Sequence, residues 1–563
     1  MNIPIVNWAK TYQTQKFAKD IVAAGIVVAL LIPQSLAYAM VAGVTPQVGL
    51  YASILPLIAY AIFGSSTTLS VGPVAVISLM TATALGNIVQ TNPDLYLTGA
   101  VTLALLSGIM LIAMGILKFG FVSNFLSHSV VSGFVTASCI IIALSQLENL
   151  FGIESNSDTT IETLPSAFTS FDSYNFYTVL VGLGALMYLG LAKRYCERWV
   201  SRIGLTPQTS TLISKLAPLL AIVIALAASY TLSLETLGVE VVGEIPQSLP
   251  TLMSVLPSFE LVQMLAFPAL MISIVGYVES ISVSQTLAAK RREYVDPNQE
   301  LIGLGAANLA SGISGAIPVA GGFSRSAVNF DAGAVTQAAS IFTAIGIAMA
   351  SLLLPPIIYY LPKAVLAATI IIAVIGLIDL KIVAKTWAYS KSDFSALIAT
   401  LGITLVFGVE IGIASGVFVS LLLHIYRTSK PHIAEVGLIE GTEHFRNVER
   451  YHVLTSPKVL SLRQDESLFF ANAAQLARRT LHDVYKRDAI AHVVIQCNAV
   501  NEIDFSALEM LEDLNQKLIA QGVTLNLSEV KGPVMDKLQQ CDFCEHLSGR
   551  IYLSQYEAFN DLV

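Results

Sequence analysis

Gly321-Gly322-Phe323-Ser324-Arg325-Ser326-Ala327-Val328-Asn329 decides how the rest of the chain is read. This stretch lies among strongly apolar segments and combines a glycine pair, small hydroxyl residues and one arginine. A glycine pair lets the backbone leave regular helix, and the small residues after it suit a new helix start. A helix that starts inside a membrane turns unpaired N–H groups, worth about +0.5 of a charge, toward whatever faces it. Arg325 adds a full charge, which costs about 2.5–3.5 kcal/mol at mid-bilayer on insertion scales. It therefore needs an anion, a counter-charge or water beside it. From these residues alone two readings stand. One is an anion site in a transporter; the other is an arginine that snorkels to an interface or pairs with a membrane carboxylate.

The surroundings are those of a polytopic α-helical membrane protein. The 563 residues are 54% hydrophobic and only 12% charged, with a mean hydropathy of +0.69. A soluble domain carries about 25% charge. Segments long enough to span, or nearly so, recur from about Ile21 to Tyr426, and we place about fourteen. They lie at 20–40, 47–64, 73–90, 97–118, 123–146, 174–193, 210–231, 261–286, 299–318, 324–335, 336–360, 363–380, 393–409 and 411–427. The third and tenth look too short or too polar to cross alone.

Loop charges test this layout. With the N-terminal segment 1–19 inside, the even loops carry Lys118, then Lys193, Arg194, Arg198 and Arg202, then Lys290, Arg291 and Arg292, then Lys381, Lys385 and Lys391. The long odd loops, near 147–173 and 232–263, contain no Lys or Arg but several acids. This positive-inside pattern puts both ends of the chain in the cytoplasm, with the inner (plasma) membrane as the expected location. No basic tract suggests nucleic acid. The five cysteines form no paired framework, and Cys541-Asp-Phe-Cys544 has no second metal-ligating pair, so we expect no metal or cofactor. No nucleophile–base constellation suggests an enzyme.

Span three opens Ser70-Val71-Gly72-Pro73-Val74-Ala75-Val76-Ile77-Ser78, after a small-residue break like the one before span ten. The two breaks are each third of seven, and an odd repeat inverts the second copy. Broken helices at matched places in inverted repeats point to a substrate site at the membrane midplane. Two helix starts at about +0.5 each, plus Arg325, roughly balance a small dianion, without excluding a monoanion.

The composition changes after Tyr426. We read 20–427 as the transmembrane transport domain, 428–450 as a polar linker and 451–563 as a small α/β domain. His492–Cys497 and Thr524–Leu527 look like buried strands, while Asn472–Tyr485, Ser506–Gln521 and Val534–Gln540 have helical periodicity. Alternation of the two implies a mostly parallel sheet.

Several motifs together resemble the SulP sulfate permeases, the SLC26-type anion transporters with a C-terminal STAS domain. They are Leu31-Ile32-Pro33-Gln34-Ser35-Leu36-Ala37-Tyr38-Ala39, Gly49-Leu50-Tyr51-Ala52-Ser53, Gly72–Ser78, Asn298–Asn308 and Ser324-Arg325-Ser326. Asp465–Ala473 and Val530–Leu538 resemble the STAS signatures. The resemblance covers essentially the whole chain. It implies a 7+7 inverted repeat, with spans 1–4 and 8–11 as a core that moves elevator-fashion against a gate of spans 5–7 and 12–14. It implies a homodimer. It maps the substrate pocket to Gln34, Tyr38, Val74, Ala75, Ser324, Arg325 and Ser326. Where some relatives carry an aromatic residue, this chain has Val74, so selectivity does not transfer.

Some residues have two readings. Gln34, after Pro33, suits an oxyanion donor or a helix–helix hydrogen bond. Tyr38, one turn on, suits either substrate contact or packing. Glu279 sits inside span eight, where burial favours the neutral acid and a nearby cation favours the carboxylate. It is the expected proton carrier; the rival role is a fixed salt bridge to Arg325, and sodium is the rival coupling ion. Glu410 and His128 read as structural. Ser506 occupies a turn that is phosphorylated in related anti-sigma-factor antagonists, but it is equally a plain N-cap. The leading function is uptake of sulfate or a similar oxyanion with protons. Alternatives are sodium-dependent bicarbonate transport, proton-coupled dicarboxylate transport, and an anion channel or sensor whose STAS domain binds a cytoplasmic protein.

Overall fold

The computed structural model describes residues 4–10, 12–89, 95–125, 127–153, 174–196, 216–250, 252 and 257–563. Arg198, Arg202 and 210–215, the start of the expected seventh span, lie outside the described residues, as does most of 147–173. The chain forms two compact units, Met1–Ser420 and Leu421–Val563.

Among the described residues of the first unit, six helices are long and apolar enough to cross a bilayer: Thr14–Val41, Pro46–Phe63, Tyr96–Ile116, His128–Phe151, Phe176–Cys196 and Phe259–Arg291. The second is interrupted into Pro46–Tyr51 and Leu55–Phe63, each with a proline in its first turn. Shorter helices include Ala217–Leu232, Pro297–Ile313, Ala338–Leu353, Lys363–Ile375 and Lys391–Phe407, and the 21-residue helix Val409–Ser429 runs on into the second unit. Thr14–Val41 and Phe259–Arg291, first in each repeat, both carry an internal proline, Pro33 and Pro268. Pro297–Ile313 packs on Tyr96–Ile116 with the backbones in near contact. A Cβ at Gly108 would lie 2.9 Å from the Gly305 carbonyl oxygen, and one at Gly305 would lie 2.8 Å from that of Gly108. Small residues allow such approach where lipid supplies no hydrophobic drive between helices.

The two interrupted segments meet. β1 (Val71–Gly72) pairs antiparallel with β2 (Ala320–Gly321), Val71 opposite Gly321 and Gly72 opposite Ala320. A half-helix follows each strand, Ala75–Val89 and Phe323–Asp331. The second is shorter than the expected 324–335, because the chain turns at Ala332-Gly333, with Gly333 at φ +88°.

Non-helical backbone at membrane depth survives only where protein satisfies its polar groups. Here side chains do so. Gln337 Nε2 donates to the carbonyls of Ser66 (2.6 Å) and Leu69 (3.1 Å), and Asn329 Nδ2 to that of Thr68 (3.1 Å). Asn308 donates to the Val319 carbonyl and accepts the Val319 N–H, both at 2.9 Å. Glu300, fully buried, accepts from the Tyr60 hydroxyl (2.7 Å), the Ser65 hydroxyl (2.7 Å) and the N–H groups of Ser65 and Ser66 (2.9 Å each).

The second unit holds a six-stranded sheet in the order β4-β3-β5-β6-β7-β8. The strands are β3 (Ile433–Leu438), β4 (Phe445–Asn447), β5 (Val459–Gln464), β6 (His492–Gln496), β7 (Thr524–Ser528) and β8 (Ile551–Tyr552). β5 to β8 run parallel and β3 and β4 are antiparallel. Helices Ala473–Lys486, Phe505–Ile519 and Gly532–Leu538 stand where periodicity places them. One expectation is corrected: 428–450 is not a plain linker. It contains β3 and β4, and helix Val409–Ser429 runs into it. Its apolar positions are few, but Ala434, Val436 and Phe445 are buried.

Asp504, not Ser506, caps helix Phe505–Ile519, accepting the Ala507 N–H at 2.8 Å; Ser506 is exposed. Asp465 accepts from Arg463 and lies 2.9 Å from His432 Nδ1. Partial burial opposes its charged form, but these two hydrogen bonds hold its carboxyl below the usual carboxylate range.

Candidate anion-binding site

The first turns of both half-helices line one cavity of about 490 Å³. Val74, Ala75 and Val76 come from one, and Gly322, Phe323, Ser324 and Arg325 from the other. The first intrahelical hydrogen bonds are Ser78 N–H to the Val74 carbonyl and Ser326 N–H to the Gly322 carbonyl. The N–H groups just before them have no helical partner, which is what gives a helix start its positive character.

Arg325 is 1% exposed. Its Nη1 donates to the Pro73 carbonyl at 2.5 Å, so a side chain of the second half-helix grips the last turn before the first. Nε and Nη2 have no hydrogen-bond partner. Glycine makes the space for the guanidinium: a Cβ at Gly322 would lie 2.9 Å from Nη2, and one at Gly72 3.4 Å from it. Neither the interface reading nor the salt-bridge reading of Arg325 fits. The residue is buried, and Glu279, which lines the same cavity, leaves its own Oε2 without a partner.

Gln34, Ala37 and Tyr38 reach the cavity from helix Thr14–Val41, just after Pro33, which also lines it. Ser324 is exposed to it. Ser326, expected with them, is not in the lining. It is fully buried, and its hydroxyl accepts the Ser70 N–H at 2.9 Å, bracing one loop against the other. The sequence reading missed the opposite wall. Ile370, Ile372 and Ala373 form an apolar surface there, interrupted by Thr369 and, farther along, by Lys193, whose Nζ donates to the Ile372 carbonyl at 3.3 Å. A threonine inside an apolar span was the available signal for Thr369. The arrangement offers a small anion several converging donors: free guanidinium N–H groups, two helix starts, an amide and hydroxyls. It offers them within largely apolar walls, where such interactions are strongest.

Residues 17–400 match the sulfate permease family, and residues 451–558 match the STAS domain. Sulfate transporter 4.1, chloroplastic, of Arabidopsis thaliana is 36% identical over 538 residues, covering 93% of this chain and 77% of its own length. Probable sulfate transporter 4.2 of the same plant is 35% identical over 555 residues, covering 96% and 80%. Among solved structures, SLC26A9 superposes with a TM-score of 0.90 at 22% identity, over 100% of this chain and 92% of its own. The transmembrane domain of a cyanobacterium bicarbonate transporter, BicA, superposes with a TM-score of 0.60 at 20% identity, over 73% and 98%. Both superpositions speak to the fold. The chain belongs to the sulfate permease family, as a multi-pass membrane anion transporter with a C-terminal STAS domain rather than an enzyme.

Proposed function

We propose that the chain is a secondary active transporter that takes up sulfate, coupled to protons through Glu279. The observation that carries this reading is the buried, half-unpartnered Arg325 guanidinium at the meeting of two helix starts. Three positive sources suit a dianion better than a single charge would. The names of relatives 31–36% identical to this chain favour sulfate among dianions. Bringing a dianion into an inside-negative cell costs about 4.6 kcal/mol per 100 mV, so accumulation needs accompanying cations. Glu279 is the carboxylate at the cavity and is free to carry one.

The reading includes a direction. Lys193, Gly376 and Leu377 lie at the ends of their spans where the positive-inside pattern places cytoplasm, and all three line the cavity. The cavity therefore opens inward. Alternation follows when spans 1–4 and 8–11 move together past spans 5–7 and 12–14. A homodimer in a plasma membrane, with the STAS domain receiving a cytoplasmic protein, completes the proposal.

The test is uptake of labelled sulfate, bicarbonate, succinate and chloride by purified protein in liposomes, under imposed pH or sodium gradients. Sulfate uptake driven by an inward proton gradient is expected. Arg325→Ala should weaken sulfate binding at least about tenfold, because hydrogen bonds to a charged group contribute about 1.5–3 kcal/mol. Wild-type affinity in that variant would remove the site.

A further inference from the structure

Ser280 follows Glu279 on helix Phe259–Arg291, about 100° further around it, and does not line the cavity. It is fully buried. Its hydroxyl donates to the Gly276 carbonyl at 2.5 Å and accepts the Gly321 N–H at 2.8 Å. Gly321 lies in β2, immediately before the turn into the Arg325 half-helix. A short chain of structure thus runs from Glu279 to Ser280, across one hydrogen bond to Gly321, and on to Arg325. Gly276 itself has room for a methyl group: a Cβ there would lie 3.4 Å from Ala320 Cβ, an ordinary van der Waals contact.

Glu279 and Arg325 line one cavity but are not hydrogen-bonded to each other. Glu279 Oε2 and Arg325 Nε and Nη2 all lack partners. Opposite charges between low-dielectric walls attract strongly, so a gap between them has to be held by the scaffold. The Pro73 carbonyl holds Nη1 from one side. The Ser280–Gly321 bond holds the β2 turn against the helix from the other.

We propose that Ser280 is a positioning residue that sets the gap between Glu279 and Arg325 and so keeps the guanidinium available to the transported anion. The inference rests on the reading of Arg325 as an anion ligand. Without the hydroxyl, Gly321 loses its partner and the β2 turn is released. Arg325 then closes on Glu279, and the substrate must compete with an internal carboxylate.

Four variants of the full chain in liposomes test this, with labelled sulfate as probe. Ser280→Ala is expected to raise the sulfate KM about tenfold at neutral pH with little change in Vmax. The defect should shrink as pH falls, because a protonated Glu279 no longer competes. In a Glu279→Gln background, adding Ser280→Ala should change KM less than twofold. Gly276→Ala keeps the hydroxyl and fits its surroundings, so its KM should match wild type. A wild-type KM in Ser280→Ala, an equal defect in both backgrounds, or an equal defect in Gly276→Ala would each overturn the proposal. Arg325→Ala, run alongside, separates the two levels. Retained sulfate affinity there defeats the site itself, whereas lost affinity there with a normal Ser280→Ala defeats only the positioning role.

Discussion

Arg325 was legible from its neighbours, because a charge in so apolar a context needs compensation and a glycine pair before it supplies a helix start. The direction of each side chain was less legible. Ser324 and Ser326 flank the arginine and look equivalent in sequence. Two residues advance a helix by about 200°, so they face opposite ways: Ser324 toward the cavity and Ser326 toward Ser70. Thr369 is the one polar residue in the apolar run 364–375, but the sequence does not say which wall it faces. At this scale one further prediction concerns Glu279. A gradient of one pH unit supplies about 1.36 kcal/mol, or tenfold, per proton carried. Wild-type protein should concentrate sulfate under such a gradient, while Glu279→Gln should only equilibrate it. Undiminished accumulation by the variant, read as labelled sulfate retained in vesicles, would assign the proton elsewhere.

The breaks in spans three and ten could be read from Gly72-Pro73 and Gly321-Gly322. The polar residues that support those breaks were hidden by distance in sequence. Glu300 is more than two hundred residues from Tyr60, Ser65 and Ser66, which it holds. Replacing it with alanine strands two backbone N–H groups, at about 1–3 kcal/mol each, so Glu300→Ala should melt several degrees lower in detergent. An unchanged melt would mean that water or another side chain takes those donors. In the STAS domain, the helices and central strands were readable from period, whereas β3 and β4 were not. β4 is only three residues long, both carry charge, and both owe their burial to the sheet they join. The Asp465 carboxylate beside them is favoured in its charged form, so its support is complete above the unfolded carboxylate value near ~3.9 and fades as pH drops through its lower folded value. Asp465→Asn should therefore speed hydrogen exchange in β3 and β5 of the whole protein at pH 7. The difference should vanish in acid; equal exchange at pH 7 would show that the pair does not matter.

For the molecule as a whole, the proposed inward opening of the cavity makes a geometric prediction. A cysteine at Leu377, in a background lacking the five native ones, should react with an impermeant thiol reagent in inside-out vesicles and resist it in right-side-out ones. Sulfate should slow the reaction. Labelling from the outer face alone would reverse the assigned orientation.

The two-residue ladder between β1 and β2 joins the halves of the duplicated fold just before the two half-helices whose first turns line the cavity. In the alternation proposed above, half-helices stitched in this way would travel as a single carriage, with the ion riding as cargo without changing its seat. Hold and speed would then be separate properties of the protein: one residing in the cradle, and the other in the mostly apolar wall opposite. Evolution can retune either while leaving the other alone.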